Sequence, residues 1–288
     1  MFYRFLMAVS RVCGIWVFVL VSRIIASGYF FLFPARRAVS IAFYRELFPE
    51  KCGWYHALCA WRQYQRFTYT FLDRFLMHNF GNVMHTVEGR EYLNEIAEGR
   101  SGGILLMSHL GNWEIAARFL KQEGFQVMLF MGRKHKEQIE GMQKDALVQN
   151  GVRIIAVDQE ESSPFSLIDG IQHLKAGGIV SLTGDRLWSG EQKTVTANFL
   201  GHRVTLPETP YVLALLTQVP LFTFFAFRIS SRHYHLTISP PMYLDKSSRS
   251  ERAATIRQAA QQYADTLEVV LRKHPFDWYH FEPFLKTD

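Results

Sequence analysis

From residue 102 onward, short apolar runs alternate with amphipathic stretches of helical period. This alternation narrows the possible folds more than any other feature of the chain. Gly102 and Gly103 lead into an apolar run at 104–107. A helix-period stretch follows at 115–122, with Ile115, Ala116, Phe119 and Leu120 on one face and Gly124 as its stop. The order then repeats, with strands expected at 126–131, 152–157 and 178–183 and helices at 136–149 and 164–175. Continuous apolar strands joined by short helical crossovers dictate an α/β fold: a central, mostly parallel sheet flanked by helices. Farther on, 194–205 predicts a hairpin, 208–218 a helix, 221–229 and 234–239 two strands, and 250–273 a closing helix. The stretch 54–77 has no Gly or Pro and predicts one long helix whose aromatic face suits core packing or the lining of an acyl chain. With no repeat and no low-complexity linker, the economical division is an N-terminal segment, 1–35, and one domain, 36–288.

The N-terminal segment sets the environment. Between residues 5 and 33 the charges are Arg11 and Arg23, and Arg23 splits the stretch into apolar runs at 12–21 and 24–33. Either run alone is too short to cross about 30 Å of hydrocarbon. A span using both would place Arg23 at mid-depth, at a cost of about 2.5–3.5 kcal/mol. Arg4 before an apolar core, with small residues near Ala26, is also compatible with a secretory signal. The basic, aromatic continuation through Pro34, Ala35, Arg36 and Arg37 favours an uncleaved helix lying in or dipping into a membrane. A true span and a buried core helix remain open alternatives. The rest of the chain is correspondingly apolar: 48% of its 288 residues are hydrophobic, 15% are aromatic and only 20% are charged. Such a chain has material for a large core and is not disordered or collagen-like, and its surface is poor in charge or partly covered. The formal net charge of +6 suits anionic headgroups, an acidic protein or nucleic acid, but no nucleic-acid module accompanies it. Cys13, Cys52 and Cys59 form no CxxC pair, which points away from a disulfide framework and toward a reducing compartment.

The string that carries chemistry is Ser108-His109-Leu110-Gly111-Asn112-Trp113-Glu114, where the strand at 104–107 turns into a helix. The carboxyl ends of parallel strands are where α/β sheets bind ligands. His109 there is a candidate general base, and Glu114, in the first helical turn, is expected to fold back and orient its imidazole. A helix-capping Glu114 and a carbonyl-bonded His109 are the structural alternative. Asn112 either caps the helix or donates toward a reacting oxygen. Asp185 and Arg186 end the strand at 178–183, either as a local ion pair or as substrate-positioning groups. Gly132-Arg133-Lys134-His135-Lys136 opens a helix with cations where the dipole favours anions, which suits an anionic ligand or acidic partner, with a solvated basic loop as the alternative. No GxSxG elbow, Walker A string or complete dinucleotide fingerprint is present, and the remaining histidines lack metal spacing. A metal site is not expected.

His109 to Glu114 forms an HxxxxE string that resembles the motif of the glycerolipid and lysophospholipid acyltransferase superfamily. More particularly, the chain resembles the lipid A biosynthesis (lauroyl/myristoyl) acyltransferase branch. The likeness extends to Arg36-Arg37 with Leu47-Phe48-Pro49-Glu50, and to Leu182-Thr183-Gly184-Asp185-Arg186 with Ala197-Asn198-Phe199-Leu200-Gly201. It also includes Pro275-Phe276-Asp277-Trp278-Tyr279-His280. The chain departs from that pattern where Arg186 and Leu187 follow Asp185, and where Glu282 and Pro283 stand in place of arginines. The resemblance implies a glycerolipid acyltransferase-like fold and an O-acyltransferase at the cytoplasmic face of a bacterial inner membrane. It would move a fatty acyl chain from acyl carrier protein, or from coenzyme A, to a hydroxyl of a lipid or glycolipid. No cofactor is implied beyond the acyl thioester co-substrate. Arg133, Asn112, Asp185 and Arg186 are expected to contact substrate, and Lys134 and Lys136 to dock the carrier. A non-catalytic membrane lipid carrier or assembly protein is the alternative from another class, although carrying lipid needs no base. A serine hydrolase is disfavoured by the missing elbow.

Overall fold

The computed structural model describes residues 2–80, 84–99, 101–132, 153–157, 164–187, 192–245, 248 and 250–285. Four helices come first: α1 (Phe2–Cys13), α2 (Ile15–Leu32), α3 (Pro34–Leu47) and α4 (Gly53–Phe80). Then follow β1 (Met84–Glu88), the short α5 (Asn94–Ala97), β2 (Gly103–Met107), α6 (Trp113–Gln122), β3 (Val127–Gly132) and β4 (Arg153–Val157). The second half holds α7 (Pro164–Lys175), β5 (Ile179–Thr183), β6 (Thr194–Phe199), β7 (His202–Pro207) and α8 (Thr209–Thr217). It closes with β8 (Leu221–Ser230), β9 (His233–Ile238) and α9 (Arg252–Lys273).

Seven strands form one sheet in the order β1-β9-β8-β2-β5-β3-β4. Every neighbouring pair is parallel except β8 with β9, so the mostly parallel α/β sheet expected from the alternation is present. The central strand β2 is buried along its whole length. Its side chains alternate between two apolar layers, as the period of two requires. Leu105 and Met107 pack with Ile115, Phe119 and Leu120 of α6, whereas Ile104 and Leu106 pack with residues of α8 and α9. The expected hairpin at 194–205 forms as β6 and β7, a separate antiparallel pair. The sequence reading did not place β1, α1 or α3. The expected helix at 136–149 lies outside the described residues, as do Arg133, Lys134 and Lys136.

The N-terminal stretch forms one continuous helix across Arg23, where the charge had suggested two runs. α2 is long and apolar enough to cross a membrane by length and composition, and of its 18 residues only Phe18, Ala26 and Phe30 are buried. Arg23 is accommodated sideways: its guanidinium donates to the Tyr69 hydroxyl of α4 at 3.0 Å. Phe18 of α2 stacks on Phe75 of α4 with centroids 5.2 Å apart. Trp16, Leu20, Ile24, Phe31 and Leu32 remain exposed.

Candidate active site

The parallel register of β2 with β5 builds the site. Met107 is paired with Thr183 at the carboxyl ends, so the residues two positions beyond, His109 and Asp185, emerge side by side. The turn between is held by Gly184 N–H donating to the Met107 carbonyl at 2.7 Å. A Cβ on Gly184 would lie 2.6 Å from the Tyr263 ring, so the close approach of α9 requires glycine there.

Asp185 grips His109 with both oxygens: Oδ2 accepts from the His109 backbone N–H at 2.6 Å, and Oδ1 lies 3.0 Å from Nδ1. Asp185 is 1% exposed, while the His109 side chain is 22% exposed. Burial alone would raise the Asp185 pKa, but the charge and hydrogen bonds of His109 outweigh it and hold the carboxyl below its usual value. On the other side of the ring, Arg186 Nη1 is 3.4 Å from Nε2. A guanidinium has only donors, so these two partners together assign the proton to Nδ1 and the lone pair to Nε2. An imidazole with Nδ1 held by a buried carboxylate and its lone pair on the opposite nitrogen is equipped to act as a general base, with that carboxylate as its orienter.

Glu114, expected in that orienting role, is elsewhere. The His109 ring spends Nδ1 on Asp185, and Glu114 lies on α6 with its side chain 3% exposed, between two other cations. Arg74 Nε donates to its Oε2 at 2.9 Å and Arg118 Nη2 to its Oε1 at 3.2 Å. Glu114 thus ties α6 to α4. Asn112 takes its capping alternative: its Oδ1 accepts from the Glu114 backbone N–H at 3.2 Å, while Nδ2 donates to the Tyr234 hydroxyl at 3.2 Å. Tyr234 in turn donates to Asp73, which also receives Arg228 Nε at 2.9 Å. Ser108 Oγ accepts from Leu110 N–H at 3.2 Å and is buried. Among the described residues no group of three His, Cys, Asp or Glu is placed to hold a metal ion.

Sequence reasoning missed the contribution of the C-terminal segment. Residues 277–279 run antiparallel to the His109 loop: Tyr279 N–H donates to the His109 carbonyl at 2.7 Å and Gly111 N–H to the Asp277 carbonyl at 2.9 Å. Gly111 has φ +84°, and a Cβ there would sit 2.6 Å from the Ala226 carbonyl, so glycine is needed to bring the loop against β8. Helix α4 holds the segment through Gln63, bonded to the Trp278 carbonyl, and through Arg66, bidentate to Asp277 at 2.7 and 2.9 Å. The only sequence signal was the aromatic character of 275–280, which says nothing about a partner 170 residues upstream in the chain.

The segment also delivers His280, whose ring meets the His109 ring edge-on with centroids 5.4 Å apart. Burial first, then the neighbouring His109, pushes the His280 pKa down to about 4, so it stays neutral near pH 7. The consequence for stability has a definite sign. A histidine whose folded pKa is depressed binds its proton more readily when unfolded, so its contribution is complete above about pH 6.5 and is lost as pH falls toward 4. The slope from one such group cannot exceed about 1.4 kcal/mol per pH unit. Denaturant melts from pH 7 to 4.5 should therefore show a shallower acid loss for His280→Gln than for the parent. Equal slopes would mean that His280 is protonated in the fold.

The family model described as bacterial lipid A biosynthesis acyltransferase matches residues 67–287. Two curated relatives, the phosphatidylinositol mannoside acyltransferases of Mycobacterium tuberculosis strains ATCC 25618 / H37Rv and CDC 1551 / Oshkosh, are each 24% identical over 197 residues. Those residues are 68% of this chain and 58% of each relative, so the likeness spans little more than half the relatives' length. The matched region contains β2, β5, the His109 loop and the C-terminal segment, and on this match the chain belongs to the bacterial lipid A biosynthesis acyltransferase family.

Proposed function

We propose that this protein is a membrane-associated O-acyltransferase that moves a fatty acyl group from a thioester to a hydroxyl of a glycolipid. The observation that carries the reading is the His109–Asp185 pair at the carboxyl ends of two adjacent parallel strands, which leaves the lone pair on Nε2, the nitrogen away from Asp185. An acceptor hydroxyl placed at Nε2 gives its proton to His109 while its oxygen attacks the thioester carbonyl. Asp185 stabilises the imidazolium, and the collapsing tetrahedral intermediate expels a thiolate that takes the proton back. The chain's serine in the loop, Ser108, is turned into a backbone hydrogen bond, which favours direct transfer over an acyl-serine route. The glycolipid acceptor is supported by the relatives' names, and membrane association by the exposed apolar length of α2. A non-catalytic lipid carrier would not need an oriented base.

The reading is tested by incubating the full chain in phospholipid vesicles with dodecanoyl-acyl carrier protein or dodecanoyl-coenzyme A and a mannosylated phosphatidylinositol, and following the product mass. A gain of one dodecanoyl group on the acceptor supports it. Release of free fatty acid alone, with labelling by a fluorophosphonate, would replace it with a hydrolase.

Acyl carrier protein is the proposed donor because a highly acidic carrier suits the basic run Arg133, Lys134 and Lys136. The double change Lys134→Glu and Lys136→Glu should raise KM for dodecanoyl-acyl carrier protein about tenfold or more with kcat nearly constant, because docking charges act on encounter. Added salt should move the parent toward the variant. An unchanged KM and salt dependence would place carrier docking elsewhere.

A further inference from the structure

Arg186 and Glu282, 96 residues apart, form an ion pair at the mouth of the site. Their side chains are 22% and 41% exposed, so the pair is accessible but not fully solvated. Arg186 directly follows Asp185 and could in principle turn to its carboxylate, which would pull that carboxylate from the imidazole. It does not. Both Asp185 oxygens are engaged by His109, and the guanidinium reaches instead from Glu282 to Nε2. Glu282 itself is placed by the C-terminal segment, where its carbonyl lies 3.1 Å from His280 Nδ1.

The geometry points to Glu282 as a positioning residue that keeps the Arg186 guanidinium at Nε2 of His109 and off the Asp185 carboxylate. The inference rests on His109 as the base. Two consequences follow from a fixed cation at that atom. Before the acceptor arrives, the guanidinium covers the lone pair. Once His109 has taken the acceptor's proton, the adjacent cation disfavours the imidazolium, which Asp185 favours, so the ring gives the proton up readily to the leaving thiolate. Arg186 then faces the negative charge of the tetrahedral oxygen.

The test reads the lone pair and not turnover. Diethyl pyrocarbonate acylates a neutral imidazole at its lone-pair nitrogen, and the rate at each histidine of the full chain in detergent micelles can be followed by peptide mass. Measured near pH 8, the His109 rate should rise about tenfold in Glu282→Ala and in Arg186→Met, the worth of one charge-assisted hydrogen bond. Glu282→Ala should add nothing in the Arg186→Met background, because both changes remove the same contact. Glu282→Gln, which preserves the packing of the segment, should lie between parent and Glu282→Ala. His85, exposed on β1, is the reference whose rate should not move.

A His109 rate that rises in Arg186→Met but not in Glu282→Ala or Glu282→Gln overturns the proposal, and so does additivity in the double variant. A rate unchanged in all of them shows that Arg186 does not cover Nε2. Unfolding would be betrayed by a common rise at every histidine, and Glu282→Gln then decides. Should His109→Ala retain acyl transfer while these rates behave as expected, the base assignment fails and the positioning of Arg186 stands.

Discussion

His109→Ala is expected to lower acyl transfer about a thousandfold or more, with the melting transition of the protein nearly unchanged. In the proposed mechanism His109 both takes the acceptor proton and returns it to the thiolate, so both halves of the reaction lose their acid–base partner. General-base catalysis alone contributes roughly a hundred- to ten-thousandfold. The side chain is 22% exposed and its ring is not part of either apolar layer around the sheet, so truncation opens no core cavity. The backbone N–H of residue 109 still donates to Asp185, and its carbonyl still receives Tyr279, so the loop stays in place. The measurement is single-turnover transfer from dodecanoyl-acyl carrier protein beside thermal melts. Turnover within tenfold of the parent would show that His109 is not the base.

Asp185→Asn is expected to cost about a hundred- to ten-thousandfold in kcat, and it separates the two carboxylates near the motif. An asparagine carbonyl would accept from the His109 backbone N–H, leaving its amide NH2 toward Nδ1. That donor forces the lone pair onto Nδ1 and the proton onto Nε2, where the acceptor must give up its own. Stability should change little, because the amide fits the same fully buried space and no longer carries a charge out of water. Glu114→Gln should behave in the opposite way. It removes the anion from between Arg74 and Arg118, and Arg74 is only 10% exposed, so the protein should lose about 1–3 kcal/mol of stability. Its turnover should fall less than tenfold, since neither oxygen reaches His109. If Glu114→Gln abolished turnover in a fully folded protein while Asp185→Asn remained active, the roles of the two carboxylates would be exchanged.

Much of the fold was legible because its signals are local. The periods of two and 3.6 place β2, β3, β4, β5, α6, α7, β8, β9 and α9 within a few residues of where they lie, and the strand-to-helix turn around His109 with them. The continuous α2 was harder: a single arginine reads as an interruption in a linear sequence, and becomes tolerable once Tyr69 of α4 takes its guanidinium. Asn112 was read with both of its options, and the backbone N–H two residues on selected the cap.

The sequence by itself determined that a histidine would stand at the carboxyl end of a buried parallel strand, because strand burial and the helix start on either side of it are short-range properties. Which carboxylate would hold that histidine was decided only by the tertiary structure. Glu114 is five residues from His109 and Asp185 is 76, yet Asp185 is the neighbour, because β5 is inserted between β2 and β3 in the sheet and brings its carboxyl end level with that of β2. Sheet order is set by how all the strands and helices bury their apolar faces together, a sum over the whole chain that no window of residues contains. The same holds for Arg186 and Glu282, whose meeting depends on the C-terminal segment pairing with the His109 loop.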